Sequence, residues 1–190
     1  MKQLLDEISS CIICKDFIQP RPVVKATESS KIIIVGQAPG TKVHASGIPW
    51  DDASGKQLRK WLSVSDEEFY NPELFGIIPM GFCYPGKGKS GDLPPRKECA
   101  PKWHQPLFDK LEQVELVLLI GQYAQKYYLR EKAKRTLTDT VNHYEDYLPM
   151  YFTLPHPSPR NRFWLSKNPW FEEHVIPKLQ QRVKSILNKL

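Results

Sequence analysis

The 190-residue chain has no apolar run that approaches the roughly 20 residues needed to cross a bilayer. It also lacks internal repeats and low-complexity segments, so nothing in it predicts a solenoid or a disordered tail. Its first ten residues carry acids and lack the basic-then-apolar pattern of a secretory signal. We therefore expect a protein of the cytoplasm with no membrane partner.

Glycine is scarce, at 10 residues, whereas proline is abundant, at 17. The prolines cluster in residues 79–106 and 149–177, where they predict loops that are irregular but ordered, because proline restricts φ. Hydrophobic residues form 41% of the chain and charged residues 25%, as in an ordinary globular protein. This length and composition predict one domain that spans residues 1–190.

The net charge of +6 favours a polyanionic partner without identifying it. Basic residues concentrate in two segments, 126–135 and 160–167. A nucleic acid backbone would bind such segments through counterion release, with an affinity that falls as salt rises. Solvated helix surfaces are the simpler interpretation, and for residues 126–135 we favour it.

Four short, mostly apolar segments predict strands of a buried parallel sheet: residues 31–35, 74–80, 115–120 and 150–154. Segments with helical spacing lie between or beside them: residues 55–62, 103–111, 122–129 and 170–190. The alternation predicts an α/β fold, a three-layer α/β/α sandwich around a central, mainly parallel four-stranded sheet. Ligands of such folds bind beyond the carboxyl ends of the strands. Four unusual loops follow the predicted strands and should meet at that edge: residues 36–40, 79–86, 121–122 and 155–161.

The loop after the first strand predicts a close backbone approach to a ligand, with a generic strand-to-helix turn as an equally weighted alternative. Glycine at both ends permits a sharp turn, the proline restricts it, and the glutamine amide can donate and accept hydrogen bonds. Its candidate ligand-binding residues are Gly36, Gln37, Ala38, Pro39 and Gly40.

Trp50 offers a flat surface on which a planar base can stack, next to the carboxylates of Asp51 and Asp52. A carboxylate there can orient and polarise a water for attack on a sugar carbon. The alternative is structural: an aspartate that caps a helix and a tryptophan that belongs to the core. Ser54 is the N-cap that we predict for the following helix.

His156 lies between prolines directly after the fourth predicted strand. A histidine held this rigidly can donate a hydrogen bond to negative charge that develops on a base. The alternative is a loop histidine that caps backbone carbonyls. The polar and basic residues that follow are suited to DNA contact: Ser158, Arg160, Asn161 and Arg162.

The chain has four cysteines, of which two form a C-x2-C pair with the spacing of metal ligands. In a cytosolic protein this pattern favours a metal or cluster site over disulfides. Four thiolates fit zinc or an iron–sulfur cluster equally well, and unliganded buried cysteines are the third possibility. The predicted ligands are Cys11, Cys14, Cys83 and Cys99.

Residues 36–40, 47–55 and 156–158 resemble, in kind and order, the motifs of the uracil-DNA glycosylase superfamily, over nearly the whole chain. The resemblance implies a three-layer α/β/α fold, a base flipped out of the DNA stack, and hydrolysis of its N-glycosidic bond without a catalytic metal. It implies that His156 stabilises the departing base anion and that Trp50 replaces a phenylalanine that stacks on the base.

The cysteines resemble those of the family 4 type of this superfamily, which carries a [4Fe–4S] cluster. That type has a cysteine pair near the N-terminus, a third cysteine after the second strand and a fourth further on. The match implies a [4Fe–4S] cluster on the four cysteines, with zinc or no cofactor as the alternatives.

The chain also departs from the family 4 type. Gln37 stands where that type has glutamate, which leaves no ionisable side chain in the first motif. Asp51 and Asp52 replace a small apolar and glycine segment, near the place where other branches carry their water-activating aspartate. We therefore assign the catalytic carboxylate to this pair and prefer Asp52. The superfamily has an asparagine that reads uracil at the end of the second strand, but residues 77–82 of this chain contain no asparagine. Met80 stands near its place.

We expect a monomeric, monofunctional DNA glycosylase that removes uracil or another deaminated base in base-excision repair. A cluster-containing DNA-binding protein that has lost catalysis is the alternative; the departures favour it, and His156 and the aspartate pair oppose it. A third possibility is an unrelated α/β hydrolase of a small nucleoside. The basic, aromatic residues 160–164 oppose it, since a free nucleoside needs no such surface.

Overall fold

A computed structural model of the chain describes residues 1–188, and a sheet of four parallel strands forms its centre. The order across the sheet is β2-β1-β3-β4. The strands are β1 (Ile32–Val35), β2 (Phe75–Ile77), β3 (Leu116–Ile120) and β4 (Tyr151–Leu154). In register, Ile33 of β1 lies beside Gly76 of β2 and Val117 of β3. All four strands are parallel, so their carboxyl ends share one edge.

Helices cover both faces of this sheet. In chain order they are α1 (Lys2–Ser9), α2 (Thr41–Ser46), α3 (Ala53–Leu62), α4 (Asp66–Tyr70), α5 (Cys99–Phe108), α6 (Gln122–Leu129), α7 (Leu137–Asn142), α8 (Arg162–Lys167) and α9 (Ile176–Leu187). A π-helical segment, Phe171–Val175, leads directly into α9. Short 3-10 turns lie at Arg130–Lys132, Tyr144–Tyr147 and Pro159–Asn161.

Alternation along the buried strands divides the core into two layers. Ile32 and Ile34 pack with side chains of α3, α4, α7 and α9 on one face of the sheet. Ile33 and Val35 pack with α1, α5 and α6 on the other face. Because both faces are covered, the strands consist almost entirely of apolar residues, apart from buried Thr153, rather than of alternating apolar and polar ones. The predicted three-layer α/β/α sandwich is confirmed, and its sheet is wholly parallel.

The second strand is shorter than the prediction of residues 74–80. It ends at Ile77, two residues before Pro79. The chain nevertheless stays beside the loop after β1, since the Met80 N–H donates to the Gly36 carbonyl oxygen at 2.8 Å.

The predicted and observed helix bounds differ most at helix ends that involve a cap or a proline. The helix predicted over residues 103–111 is α5, which begins at Cys99 and ends at Phe108. The prediction for residues 122–129 coincides with α6. The helix predicted over residues 170–190 divides into the π-helical segment and α9, and residues 189 and 190 lie outside the described part. Within residues 1–188, no helix has the length and apolar content needed to cross a bilayer.

Candidate active site and cysteine cavity

A cavity of about 360 Å³ opens at the carboxyl ends of the strands. The chain runs from β1 outward to β2 and later returns to β3 on the other side of β1, and this switch point is where α/β folds bind ligands. The cavity wall contains the loop after β1, the segment before α3, Pro79 after β2, and His156 after β4. Three of the four loops that we expected at this edge therefore line the cavity, and the fourth lies beside it, since a Cβ on Gly121 would lie 4.0 Å from Cβ of His156.

The five predicted residues of the first loop all line the cavity: Gly36, Gln37, Ala38, Pro39 and Gly40. A Cβ on Gly36 would lie 2.8 Å from Cζ2 of the Trp50 ring, so no side chain fits there. The Gln37 amide Nε2 donates to the Leu93 carbonyl oxygen at 3.3 Å. The loop therefore lines the cavity, while its one polar side chain is hydrogen-bonded to another segment.

Trp50 occupies the cavity wall in a left-handed backbone conformation, with φ of 59°. This conformation is uncommon for a residue with a bulky side chain. Two neighbours accommodate it: a Cβ on Gly55 would lie only 1.7 Å from the Trp50 carbonyl oxygen, and Arg59 Nη1 donates to that oxygen at 3.4 Å. The indole ring lies 5.7 Å from the imidazole of His156, centroid to centroid. The two aromatic rings thus share one wall.

Asp52 combines the structural role that we considered for it, helix capping, with a place in the cavity wall. It is the N-cap of α3, since its Oδ1 accepts a hydrogen bond from the Gly55 N–H at 2.8 Å, and it lines the cavity. The prediction of Ser54 as the N-cap is wrong. The helix begins at Ala53, two residues before the predicted start at residue 55, and Ser54 is buried in its first turn. Asp51 is exposed and does not belong to the cavity wall.

His156 is half-buried beside the indole ring of Trp50. Burial lowers the pKa of its imidazole, and the carboxylates of Asp52 and Asp92 partly oppose this shift. The ring is therefore neutral at pH 7 and keeps one N–H donor and one acceptor nitrogen. The Asn161 Nδ2 donates to the His156 carbonyl oxygen at 2.7 Å and holds the loop in place.

The four predicted DNA-contact residues occupy two environments. Ser158 and Arg160 line the cavity, and the Ser158 hydroxyl accepts a hydrogen bond from the Arg160 N–H at 3.2 Å. Asn161 and Arg162 lie outside the wall, where the Arg162 guanidinium stacks 5.6 Å from the ring of Phe163, which is 71% exposed. Met80, predicted as a base contact, packs in the core beneath α5, and Pro79 lines the cavity next to it.

No sequence pattern pointed to Asp92, which also lines the cavity. It belongs to a hairpin of residues 86–93, in which the Leu93 N–H donates to the Gly86 carbonyl oxygen at 2.9 Å. Positive φ values at Gly86 and Gly91 permit the tight reversal. These glycines were the available sign of a hairpin, but not of its place over the cavity.

The four predicted ligand cysteines line a second, smaller cavity of about 20 Å³. Cys11 and Cys14 follow α1, Cys83 follows the end of β2, and Cys99 is the first residue of α5. The Arg21 N–H donates to Cys83 Sγ at 3.4 Å, and the Phe82 N–H donates to a second sulfur at 3.3 Å. These contacts are the kind that thiolate ligands of metal centres receive.

The donor set fits a thiolate-bound group, although the sulfurs are not drawn together around one point. Within residues 1–188, no three His, Cys, Asp or Glu side chains are arranged to hold a single ion. Burial raises the pKa of the Cys99 thiol to about 12 and also raises that of Cys83. A bound metal would therefore have to displace these thiol protons.

Comparison with protein families matches residues 24–180 of the chain to a family described as the uracil DNA glycosylase superfamily. The match begins before β1 and ends within α9, so it contains the whole sheet and every residue of the larger cavity discussed above. Cys83 and Cys99 fall inside the matched range, whereas Cys11 and Cys14 precede it.

Proposed function

The chain belongs to the uracil-DNA glycosylase superfamily, and we propose that it is a monofunctional DNA glycosylase that hydrolytically removes uracil or another deaminated base. One observation carries this proposal: a neutral histidine and a carboxylate, His156 and Asp52, face one cavity beside the indole of Trp50. That combination supplies a hydrogen-bond donor for the leaving group, a carboxylate that can orient a water, and a flat surface on which a base can stack.

In the proposed reaction the damaged base is flipped out of the duplex and stacks on Trp50. The bond between C1′ and the base nitrogen breaks, and its electron pair goes to the base. The N–H of the neutral His156 stabilises the resulting anion, as a preorganised donor does for developing negative charge. A water oriented by Asp52 then bonds to C1′. Its proton passes to the carboxylate and finally to the base, so one water is consumed for each base released.

The proposed DNA contacts lie around the cavity mouth. Ser158 and Arg160 are positioned to meet phosphates next to the flipped nucleotide, and the exposed ring of Phe163 is available to enter the base stack. Asn161 supports them indirectly through its bond to the His156 carbonyl oxygen. Exposed Arg162 adds a further positive charge on the same side.

We further propose that Cys11, Cys14, Cys83 and Cys99 hold a [4Fe–4S] cluster, as in the family 4 type. The convergence of all four cysteines on one cavity supports this, and a cluster does not require the sulfurs to meet at one point as a zinc ion does. When bound, the cluster would cross-link the segment after α1 to both ends of residues 83–99. Protein purified without oxygen should be brown, with about four iron and four sulfide per chain. Colourless protein with stoichiometric zinc would contradict the proposal.

Single- and double-stranded oligonucleotides that carry one uracil, hypoxanthine or xanthine test the activity. Excision leaves an abasic site, which alkali cleaves, and the released base can be identified by chromatography. The undamaged oligonucleotide is the substrate control, and Asp52→Asn prepared identically is the protein control. If the wild-type protein excises none of these bases, the enzyme proposal fails, and a DNA-binding protein without catalysis becomes the explanation.

A further inference from the structure

The cavity contains a second carboxylate, at its mouth. Asp92 is exposed on the open side, where its Oδ2 would lie 3.6 Å from a Cβ on Gly40. The side chains of Val23 and Ile77, which also line the cavity, are buried, so they form its inner part. A flipped nucleotide enters with its base first, so the base meets the inner part while the sugar stays near Asp92.

Asp92 has one carboxylate oxygen held and the other available. The Tyr84 hydroxyl donates to Oδ1 at 3.4 Å. Among residues 1–188, no donor is hydrogen-bonded to Oδ2. Asp52 likewise has one oxygen engaged, since its Oδ1 caps α3. The loop after β1 has no ionisable side chain in residues 36–40, so Asp92 brings to that loop a charge that it lacks.

The hairpin that carries Asp92 is attached to both of the loops that bear the chemistry. Gln37 Nε2 donates to the Leu93 carbonyl oxygen at 3.3 Å, and Arg160 Nη1 donates to the Ser90 carbonyl oxygen at 3.4 Å. These contacts join residues that are 56 and 70 positions apart in the chain. The two cavity loops therefore help to fix the position of Asp92, together with the hydrogen bonds of the hairpin itself.

From this geometry we propose that Asp92 is a second catalytic carboxylate, which stabilises the positive charge that develops on the sugar as the bond to the base breaks. The inference rests on the proposed glycosylase function. As the electron pair of the C1′–N bond leaves with the base, C1′ and the ring oxygen become cationic, and a fixed carboxylate stabilises that charge. Asp92 transfers no proton in this step; water from the side of Asp52 completes it.

Asp92→Asn tests the charge while the hairpin stays intact, because the amide oxygen still accepts from Tyr84. The single-turnover rate of excision should fall about a hundredfold, the lower end for loss of one preorganised electrostatic contact. Ser90→Ala is the matched control in the same hairpin, since Arg160 contacts the backbone carbonyl of Ser90 and not its side chain. It should excise at the wild-type rate.

A binding measurement separates charge stabilisation from a purely structural role. Duplexes that carry a cationic pyrrolidine or a neutral tetrahydrofuran in place of the damaged nucleotide mimic the sugar with and without its charge. Wild type and Ser90→Ala should prefer the cationic duplex, and Asp92→Asn should lose at least about tenfold of that preference. An unchanged preference in Asp92→Asn, with the wild-type protein active, overturns the role of Asp92 alone. Absence of excision by the wild-type protein on every base would overturn the proposed function and this inference with it.

Discussion

The two cavities of this protein differ in nearly every physical property. The larger, of about 360 Å³, is open and lined by Asp52, His156 and other polar groups, with Trp50 in a conformation that its neighbours must accommodate. The smaller, of about 20 Å³, is lined by four cysteines, Arg96 and mainly apolar residues, and backbone N–H groups donate to two of its sulfurs. One cavity is suited to admit and transform a ligand, whereas the other is suited to hold chain segments together.

One chain segment nevertheless connects them. Residues 83–99 begin and end with a cysteine of the small cavity and carry Asp92 to the mouth of the large one. Arg21 makes a second connection: its N–H donates to Cys83 Sγ, and its guanidinium donates to the carbonyl oxygens of His44 and Ala45 at the end of α2. The cysteine cavity is therefore connected to the mouth of the large cavity through both of these segments.

The largest effect is expected from Cys99→Ser, which removes one proposed ligand of the small cavity. The free energy of unfolding should fall by more than about 4 kcal/mol, as when a protein loses a metal site. Iron content, the denaturant midpoint and proteolysis within residues 83–99 measure the loss. Unchanged stability and unchanged iron content would refute a structural centre on these cysteines.

Asp52→Asn should abolish most turnover in the large cavity without unfolding it. Asparagine retains an oxygen that accepts from the Gly55 N–H, so the cap of α3 persists. Loss of the carboxylate should slow single-turnover excision by about 10²–10⁴-fold, with little change in DNA affinity. Asp51→Asn is the neighbouring comparison; a greater loss in that variant would move the catalytic role to Asp51.

His156→Ala removes the proposed donor to the departing base, and the excision rate should fall by about 10²–10³-fold. The lowered pKa of His156 adds a pH signature, because burial moves the titration of its imidazole below the usual pKa. The wild-type rate should consequently have no inflection at about pH 6.5. Such an inflection, absent from His156→Gln, would show that the ring titrates normally and is not held as a neutral donor.

The histidine between the two cavities should make the protein sensitive to acid. His104 Nε2 donates to the Pro79 carbonyl oxygen at 3.0 Å, and its ring stacks on Phe82 beside the cysteines. Burial lowers its pKa to about 4. In the unfolded chain this histidine binds a proton with a pKa of about 6.5. The contribution of the neutral ring to stability is therefore fully present above that pH, and the free energy of unfolding falls by up to about 3 kcal/mol toward pH 4.

Denaturant unfolding at pH 7.5 and 4.5 measures this effect. His104→Gln should lose less stability on acidification than wild type, although it is less stable at neutral pH. Exposed His174 provides the control, because His174→Gln should show the same loss on acidification as wild type. An equal loss in wild type and His104→Gln would assign the acid sensitivity to other groups.

How far these features were predictable depended on the sequence distance between the residues that create them. The β-branched run of β1 and the proline-bounded loop of His156 are local patterns, and the parallel sheet brings their ends to one edge. The cap of α3 was misassigned because Asp52 and Ser54 are both good N-cap residues two positions apart. The conformation of Trp50 depends on Gly55 and Arg59. The position of Asp92 depends on hydrogen bonds that join its hairpin to residues 56 and 70 positions away in the chain. No local pattern encodes such contacts.

The smallest effect is expected at the rim of the large cavity, where Arg160 faces solvent. Arg160→Ala should weaken binding to damaged and undamaged DNA alike, because a phosphate contact is independent of sequence. The slope of log affinity against log salt should decrease by about 1, which a titration of a labelled duplex at several salt concentrations measures. Arg135→Ala, in the other basic segment, should leave the slope unchanged if residues 126–135 are a solvated surface. A reduced slope in Arg135→Ala but not in Arg160→Ala would place the DNA path away from the cavity. That result would contradict the proposal that the large cavity is the active site.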